Sequence, residues 1–150
     1  MRFVLIAGAL AFAACRSSSG PAPVTAVSSA QEAVQAFMKA AADSNLTRMG
    51  ELWGTARGLA ANQMAAADHH KRLVVMQAYL KGDSVRVVSE TPVRGRDNER
   101  DLVVQLYRLR GTCIKPIPFS TVRTGSGAWL VHSVNISAAG NPARPCDGGR

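Results

Sequence analysis

Along this chain the spacing of apolar side chains changes once, near Gly82, from a helical repeat to an alternating one. Val34, Phe37, Met38 and Ala41 recur every three or four residues and so share one face of a helix, with Gln31, Gln35 and Lys39 falling largely opposite. Ser29 and Glu32 have the spacing of a capping box, in which the two side chains satisfy exposed amides reciprocally, and Val27 is placed as the hydrophobic staple. Asp43-Ser44-Asn45 stops this helix and offers a cap to the next, which is short, has Leu46, Met49 and Trp53 on one stripe with Leu52 beside it, and is weakened by Gly50. Gly54–Gly58 reads as a loop. Leu59–Leu80 has room for one or two further helices; its best part is Ala65–Leu80, with Leu73, Met76, Tyr79 and Leu80 on one face and Asp68 and Arg72 spaced as an i,i+4 ion pair.

Beyond Asp83 the period is two. Ser84–Glu90 alternates around Val85 and Val87, and Pro92–Asn98 is a turn-rich connection. Glu99–Arg110 is the strongest strand, with Leu102, Val104 and Leu106 on one side and Val103, Tyr107 and Leu109 on the other, around the polar Gln105. Helices on one side of a sheet leave the second of those faces in water. A homodimer through the open sheet face, a long loop, or a bulge near Tyr107 would answer this. Pro116 and Pro118 cannot donate to a ladder, which places the start of Cys113–Thr124 at an edge or a bulge, with regular pairing from Phe119. In the last strand, Ala128–Ser137, Leu130, His132, Val134 and Ile136 alternate with Trp129, Val131, Ser133 and Asn135. The expected class is α+β, N-terminal helices packed on a curved antiparallel sheet of about four strands.

The first residues change the picture of where the protein works. In MRFVLIAGALAFAAC, basic Arg2 precedes an apolar run from Phe3 to Phe12, then Ala13, Ala14 and Cys15, which is the pattern of an export signal and too short for a membrane-spanning helix. Phe12-Ala13-Ala14-Cys15 resembles the lipobox of bacterial lipoproteins, with Phe12 where that family usually has Leu. The resemblance implies cleavage before Cys15, a diacylglyceryl group on its sulfur, and an exported protein held by lipid to the cell envelope; the periplasmic face of an outer membrane is the expected place, and a soluble secreted protein cut nearby is the alternative. Residues 1–14 are then the signal peptide and 15–28 the acylated cysteine and a Ser- and Pro-containing tether. Residues 29–137 form one domain and 138–150 an irregular tail. Removing 14 of the 150 residues leaves 136, enough for one core.

With Cys15 acylated, Cys113 and Cys146 remain as the only pair, and an oxidising compartment favours their disulfide. Closing a loop of about 34 residues stabilises a fold by about 3 to 4 kcal/mol in the chain-entropy account. No metal or cofactor is expected: there is no Cys-x-x-Cys, and His69, His70 and His132 lack ligand spacing. His69 and His70 are neighbours, so on a helix they point about 100° apart, and a solvated face suits them. The 18 Lys and Arg exceed the 10 Asp and Glu, a net charge of +8 that favours anionic surfaces. Arg86, Arg108, Arg110, Lys115 and Arg123 could form such a surface for anionic envelope polymers. Export, and a chain with 2 Trp, 2 Tyr and 4 Phe not interleaved with the basic residues, argue against nucleic acid.

Glu32-Ala33-Val34-Gln35-Ala36-Phe37, then Asp43-Ser44-Asn45-Leu46 and Leu52-Trp53, are similar to the opening helix, acidic break and second helix of the NTF2-like superfamily, which includes SnoaL-like proteins and ketosteroid isomerase. Gly127-Ala128-Trp129-Leu130-Val131 looks like its closing strand. The resemblance implies a cone-shaped fold in which the sheet wraps one long helix; a cystatin-like fold is the nearest alternative, and three helices argue against it. Enzymes of the superfamily hold a carboxylate or His base between helix and sheet. Here the inward stripes carry no carboxylate, and the one candidate base is His132, with Trp53 and Tyr107 as possible cavity lining. A lone His on an apolar strand is more often a hydrogen-bonded core residue. Asp97, Glu99 and Asp101, interleaved with Arg94, Arg96 and Arg100, suit a solvated turn, and Ser120 and Ser133 lack a nucleophile elbow. The expected function is a non-enzymatic binding or protein-interaction domain, tethered to a membrane and holding a small apolar ligand or a partner. The alternatives are a small lyase, isomerase or hydrolase using His132, and the polymer-binding surface.

Overall fold

The computed structural model describes residues 27–144 and Cys146; the leader, Cys15 and the tether up to residue 26 lie outside the described residues. The first helix, α1 (Ala30–Ala42), begins where the Ser29 hydroxyl accepts the Glu32 amide at 3.1 Å. The other half of the box closes one residue earlier than its spacing suggests, because the Glu32 carboxylate takes the hydroxyl and amide of Ser28 at 2.8 and 3.0 Å. Those bonds, the hydroxyl's first, hold the Glu32 carboxyl below its ordinary range. Asn45 caps α2 (Leu46–Glu51) by accepting the Arg48 amide at 2.9 Å.

The expected loop after α2 is a small hairpin, β1 (Gly54–Thr55) paired with β2 (Gly58–Leu59), followed by α3 (Ala66–Leu80). Four strands complete the body: β3 (Ser84–Val93), β4 (Arg96–Arg108), β5 (Cys113–Arg123) and β6 (Trp129–Val134), antiparallel in the order β3-β4-β5-β6. The turn expected over residues 92–98 shrinks to Arg94-Gly95, with Val93 already opposite Arg96. A short 3-10 helix, Ile136–Ala139, follows β6. Among the described residues the buried core includes Val27, two residues before Ser29, and Ala139, beyond Ser137.

The core sits between α1 and the sheet. Ala33, Val34, Phe37, Met38 and Ala41 meet Leu102, Val104, Leu106, Ile117, Phe119 and Val131, all at 2 % exposure or less. Phe37 meets Phe119 edge to face, centroids 6.5 Å apart at 77°. Side chains therefore fill the space between this helix and the sheet.

β4 and β5 pair without interruption from Glu99 opposite Val122 to Arg108 opposite Cys113, so no bulge at Tyr107 reverses the parity. Val103, Gln105 and Tyr107 do face outward, half-exposed, with the Tyr107 hydroxyl donating to Gln105 at 2.8 Å. Pro116 and Pro118 fit inside this ladder for a geometric reason. The Pro118 carbonyl accepts Asn135 N–H at 3.0 Å on the side away from β4, so the missing proline donors also point away from β4. Pairing with β6 begins at Phe119, which leaves the first half of β5 as an edge that its prolines protect.

Sequence alternation fails in β6, where Trp129, Leu130 and Val131 are all buried and His132 is exposed. The chain after α2 closes this edge: Val131 N–H donates to Leu52 at 2.8 Å, and Trp53 forms a parallel bridge with Val131. The hairpin then lies so close that a Cβ on Gly54 would stand 2.3 Å from the Gly58 carbonyl oxygen and 2.7 Å from Leu130 Cδ1, distances that exclude any side chain there.

Arg108 ends the inward row of β4 and is 6 % exposed, not part of a basic surface. Its Nε donates to Lys81 O at 2.9 Å, Nη1 to Ala139 O at 2.8 Å and Nη2 to Tyr79 O. It joins the carbonyl end of α3 to the 3-10 helix, where the helix dipole favours a cation. Burial lowers its pKa from the ordinary arginine value, with the neighbouring Cys113 acting weakly the other way.

Candidate functional site

With the interior filled, hollows able to take a molecule lie outside it. Trp53 and His132, two of the three residues expected at a cavity, meet in a groove of about 390 Å³ between α3 and β6. Lys71, Arg72, Val75 and Met76 form the helical wall, and His132, Ser133, Val134 and Ile136 the opposite one. Lys71 and Val75 are i,i+4 neighbours, as are Arg72 and Met76, so each row carries a cation one turn before an apolar side chain. Val75 is 45 % exposed, which makes its apolar surface available. Tyr107, the third expected residue, is on the outer sheet face instead.

The polar chemistry of the groove is one-sided. Among the described residues neither Lys71 nor Arg72 enters an ion pair; the pairs are Lys39–Asp43, Arg48–Glu51, Arg96–Glu99 and Glu90–Arg100. The Asp68–Arg72 pair expected from spacing does not form, and Arg72 lies on the groove wall. Among the described residues no carboxylate lines the groove. His132 Nδ1 stands 3.1 Å from Gly54 O; a carbonyl only accepts, so this nitrogen carries the hydrogen and Nε2 is left for solvent or a ligand. The position of His132 corrects the expectation of a base between helix and sheet, for the edge-closing chain at Leu52–Gly54 sets which β6 residues are covered.

Behind the groove, His69 is stacked on Trp53 with ring centroids 5.4 Å apart and an angle of 18°. Its Nε2 is out of water and has no hydrogen-bond partner. Gly50 makes room for it, since a Cβ there would be 3.0 Å from His69 Cε1. His69 is thus a packing residue rather than part of a solvated face; His70 alone is exposed. The Trp53 ring is fixed on one side and, though mostly buried, contributes part of its surface to the groove.

A second cleft of about 570 Å³ lies at the end of the sheet where Val27 enters, among Leu52, Leu59, Trp129 and Leu130. It includes Glu51, already paired with Arg48 at 2.9 Å, and Arg57. Arg100 and Arg123 lie over the Trp129 ring at 5.5 and 6.0 Å from its centroid. The five basic residues expected to share a surface are dispersed: Arg108 is buried, while Arg110 and Arg123 flank opposite ends of β5. Cys113 is buried at the start of β5 and Cys146 is exposed in the tail. Among the described residues no cluster of His, Cys, Asp or Glu could hold a metal ion, and no helix is long and apolar enough to cross a membrane.

Lys71 and Val75 were not singled out from the sequence, and Arg72 only as a partner for Asp68. Their signal was present in Val74-Val75, which break the Leu73, Met76, Leu80 stripe on the polar side of the helix beside two cations. No family model, curated protein or solved structure matches this chain.

Proposed function

We propose that this is an exported protein anchored to the cell envelope through an acylated Cys15, whose body is a non-catalytic binding domain of the NTF2-like kind that takes its ligand in the α3–β6 groove. The observation that carries the reading is the sealed interior. An acid–base enzyme of that superfamily works in a water-excluding cavity between helix and sheet, and here Phe37, Phe119, Leu106 and Val131 fill that volume at 2 % exposure or less. Among the described residues the groove is lined by cations, an imidazole and a hydroxyl, with no carboxylate to act as a partner base. α1 laid against a four-stranded antiparallel meander supports the NTF2-like architecture. A Cys113–Cys146 disulfide completes the proposal by tying the tail to β5 beside the Arg108 clamp.

Intact mass of protein extracted from membranes tests the anchor. Loss of residues 1–14 with a lipid adduct on Cys15 is the expected result; an unmodified Cys15 behind a retained leader refutes it. The same spectrum under non-reducing conditions reads the disulfide as the loss of two hydrogens.

A further inference from the structure

We infer that the α3–β6 groove binds a small organic anion with a flexible apolar tail, of the chemical class of a medium-chain carboxylate, its head held by Lys71 and Arg72. This deepens the proposed binding function and rests on it. Charge selects the head. Lys71 and Arg72 diverge as helix neighbours, but both line the groove; among the described residues neither has an ion-pair partner, and no acid lines the groove to neutralise them or to attract a cationic ligand. Spacing sets the direction. Because Val75 and Met76 lie one helical turn beyond Lys71 and Arg72, a head bound between the cations sends its tail along Val75 and Met76, facing Val134 and Ile136 on the other wall.

Size and stacking restrict the rest of the molecule. A groove of about 390 Å³ is at the small end of the roughly 300 to 1,000 Å³ typical of ligand sites. His69 already occupies a face of Trp53, so the ring is not free to sandwich a planar base, and a nucleotide is disfavoured. A tail that bends over Val75 and the Trp53 edge meets no such conflict and withdraws half-exposed valine surface from water.

The test uses the chain from Arg16 to Arg150, which contains every core residue found among the described residues, and 2-bromodecanoate as a heavy-atom quencher of tryptophan. The chain has two tryptophans, so each hollow reports separately: Trp53 in the groove and Trp129 in the second cleft. Saturable quenching should persist in Trp129→Phe and vanish in Trp53→Phe. Decanoate should displace the probe, and decanol of the same chain length should do so at least tenfold more weakly. Lys71→Gln/Arg72→Gln, at two exposed positions, should weaken binding at least tenfold without moving the thermal midpoint. Quenching confined to Trp129, equal displacement by decanol, an unaffected double variant, or no saturable quenching at all overturns the inference. None of these outcomes touches the mass of Cys15, so failure of the groove and failure of the anchor are read apart.

Discussion

The volume between α1 and the sheet and the groove between α3 and β6 are made of the same kinds of side chain and have opposite fates. In the first, valines, leucines, methionine and phenylalanines meet from two sides and reach 2 % exposure or less; in the second, Val75 remains 45 % exposed beside two cations. The difference lies in what each helix meets. α1 lies against the sheet, whereas α3 packs mainly on α1, α2 and the 3-10 helix Ile136–Ala139, so Val75 on its outer row stays exposed. Apolar content alone does not separate a core from a site; the number of covered sides does.

Truncation on each side is the sharpest way to break this contrast. Phe37→Ala removes a buried ring and its edge-to-face contact with Phe119 and should cost about 3 to 5 kcal/mol in denaturant unfolding. Val75→Ala should change stability by less than about 0.5 kcal/mol. Comparable losses would mean that the groove is core. Next in size is the clamp. Arg108→Met keeps the apolar stem but strips three backbone carbonyls of their donor, with an expected loss of about 2 to 4 kcal/mol in the same measurement. A loss below about 1 kcal/mol would show that water replaces the guanidinium at the end of α3.

A smaller effect probes the floor of the groove. Gly50→Ala gains helix propensity of roughly 1 kcal/mol but sets a Cβ 3.0 Å from His69 Cε1 and 3.3 Å from Leu73 Cδ1. The His69 ring is wedged against Trp53, so the steric term should win and the substitution should destabilise by about 1 kcal/mol. In a His69→Ala background the same change should become stabilising, and the double-mutant cycle measures the coupling. Additive effects would show that the stack yields to the methyl group.

These regions also differ in how far the sequence disclosed them. Val34, Phe37, Met38 and Ala41 were legible because one helix face meets one surface, and periodicity records a single interface. The same logic put Leu102, Val104 and Leu106 on one side of β4 and Val103 and Tyr107 on the other, as observed, yet Tyr107 was also expected at a cavity and lies on the outer face. β6 defeated it because Leu130 and Val131 are covered on different sides, by the hairpin and by α1, so alternation no longer maps to burial. His132 followed that error into an imagined cavity. Arg108 and His69 were illegible for a related reason: each takes its environment from segments distant in the chain, carbonyls of Tyr79, Lys81 and Ala139 for the first and the Trp53 ring for the second. Trp53 and His132 do share a site, but one formed by the edge closure that the pattern did not show.

The smallest expected effect belongs to the N-terminal cap of α1, which controls how the covered helix begins and is indifferent to the groove. The Glu32 carboxylate accepts two bonds from Ser28, which favour its ionised form and depress its pKa in the folded state. A depressed carboxyl binds fewer protons folded than unfolded, so its contribution is present above the unfolded pKa. It fades as acid carries the solution down through the folded value. Urea midpoints measured from neutral pH into the carboxylate range, about pH 4, should therefore fall more for the native chain than for Glu32→Gln. The two curves should converge at the acid end, where both side chains are neutral. Glu32 is fully solvent-accessible and salt screens its charge, so the gap at neutral pH should be small and should narrow further with added salt. Parallel curves would mean that Ser28 is not bonded to this carboxylate in solution, and that the Ser29 hydroxyl alone starts the helix.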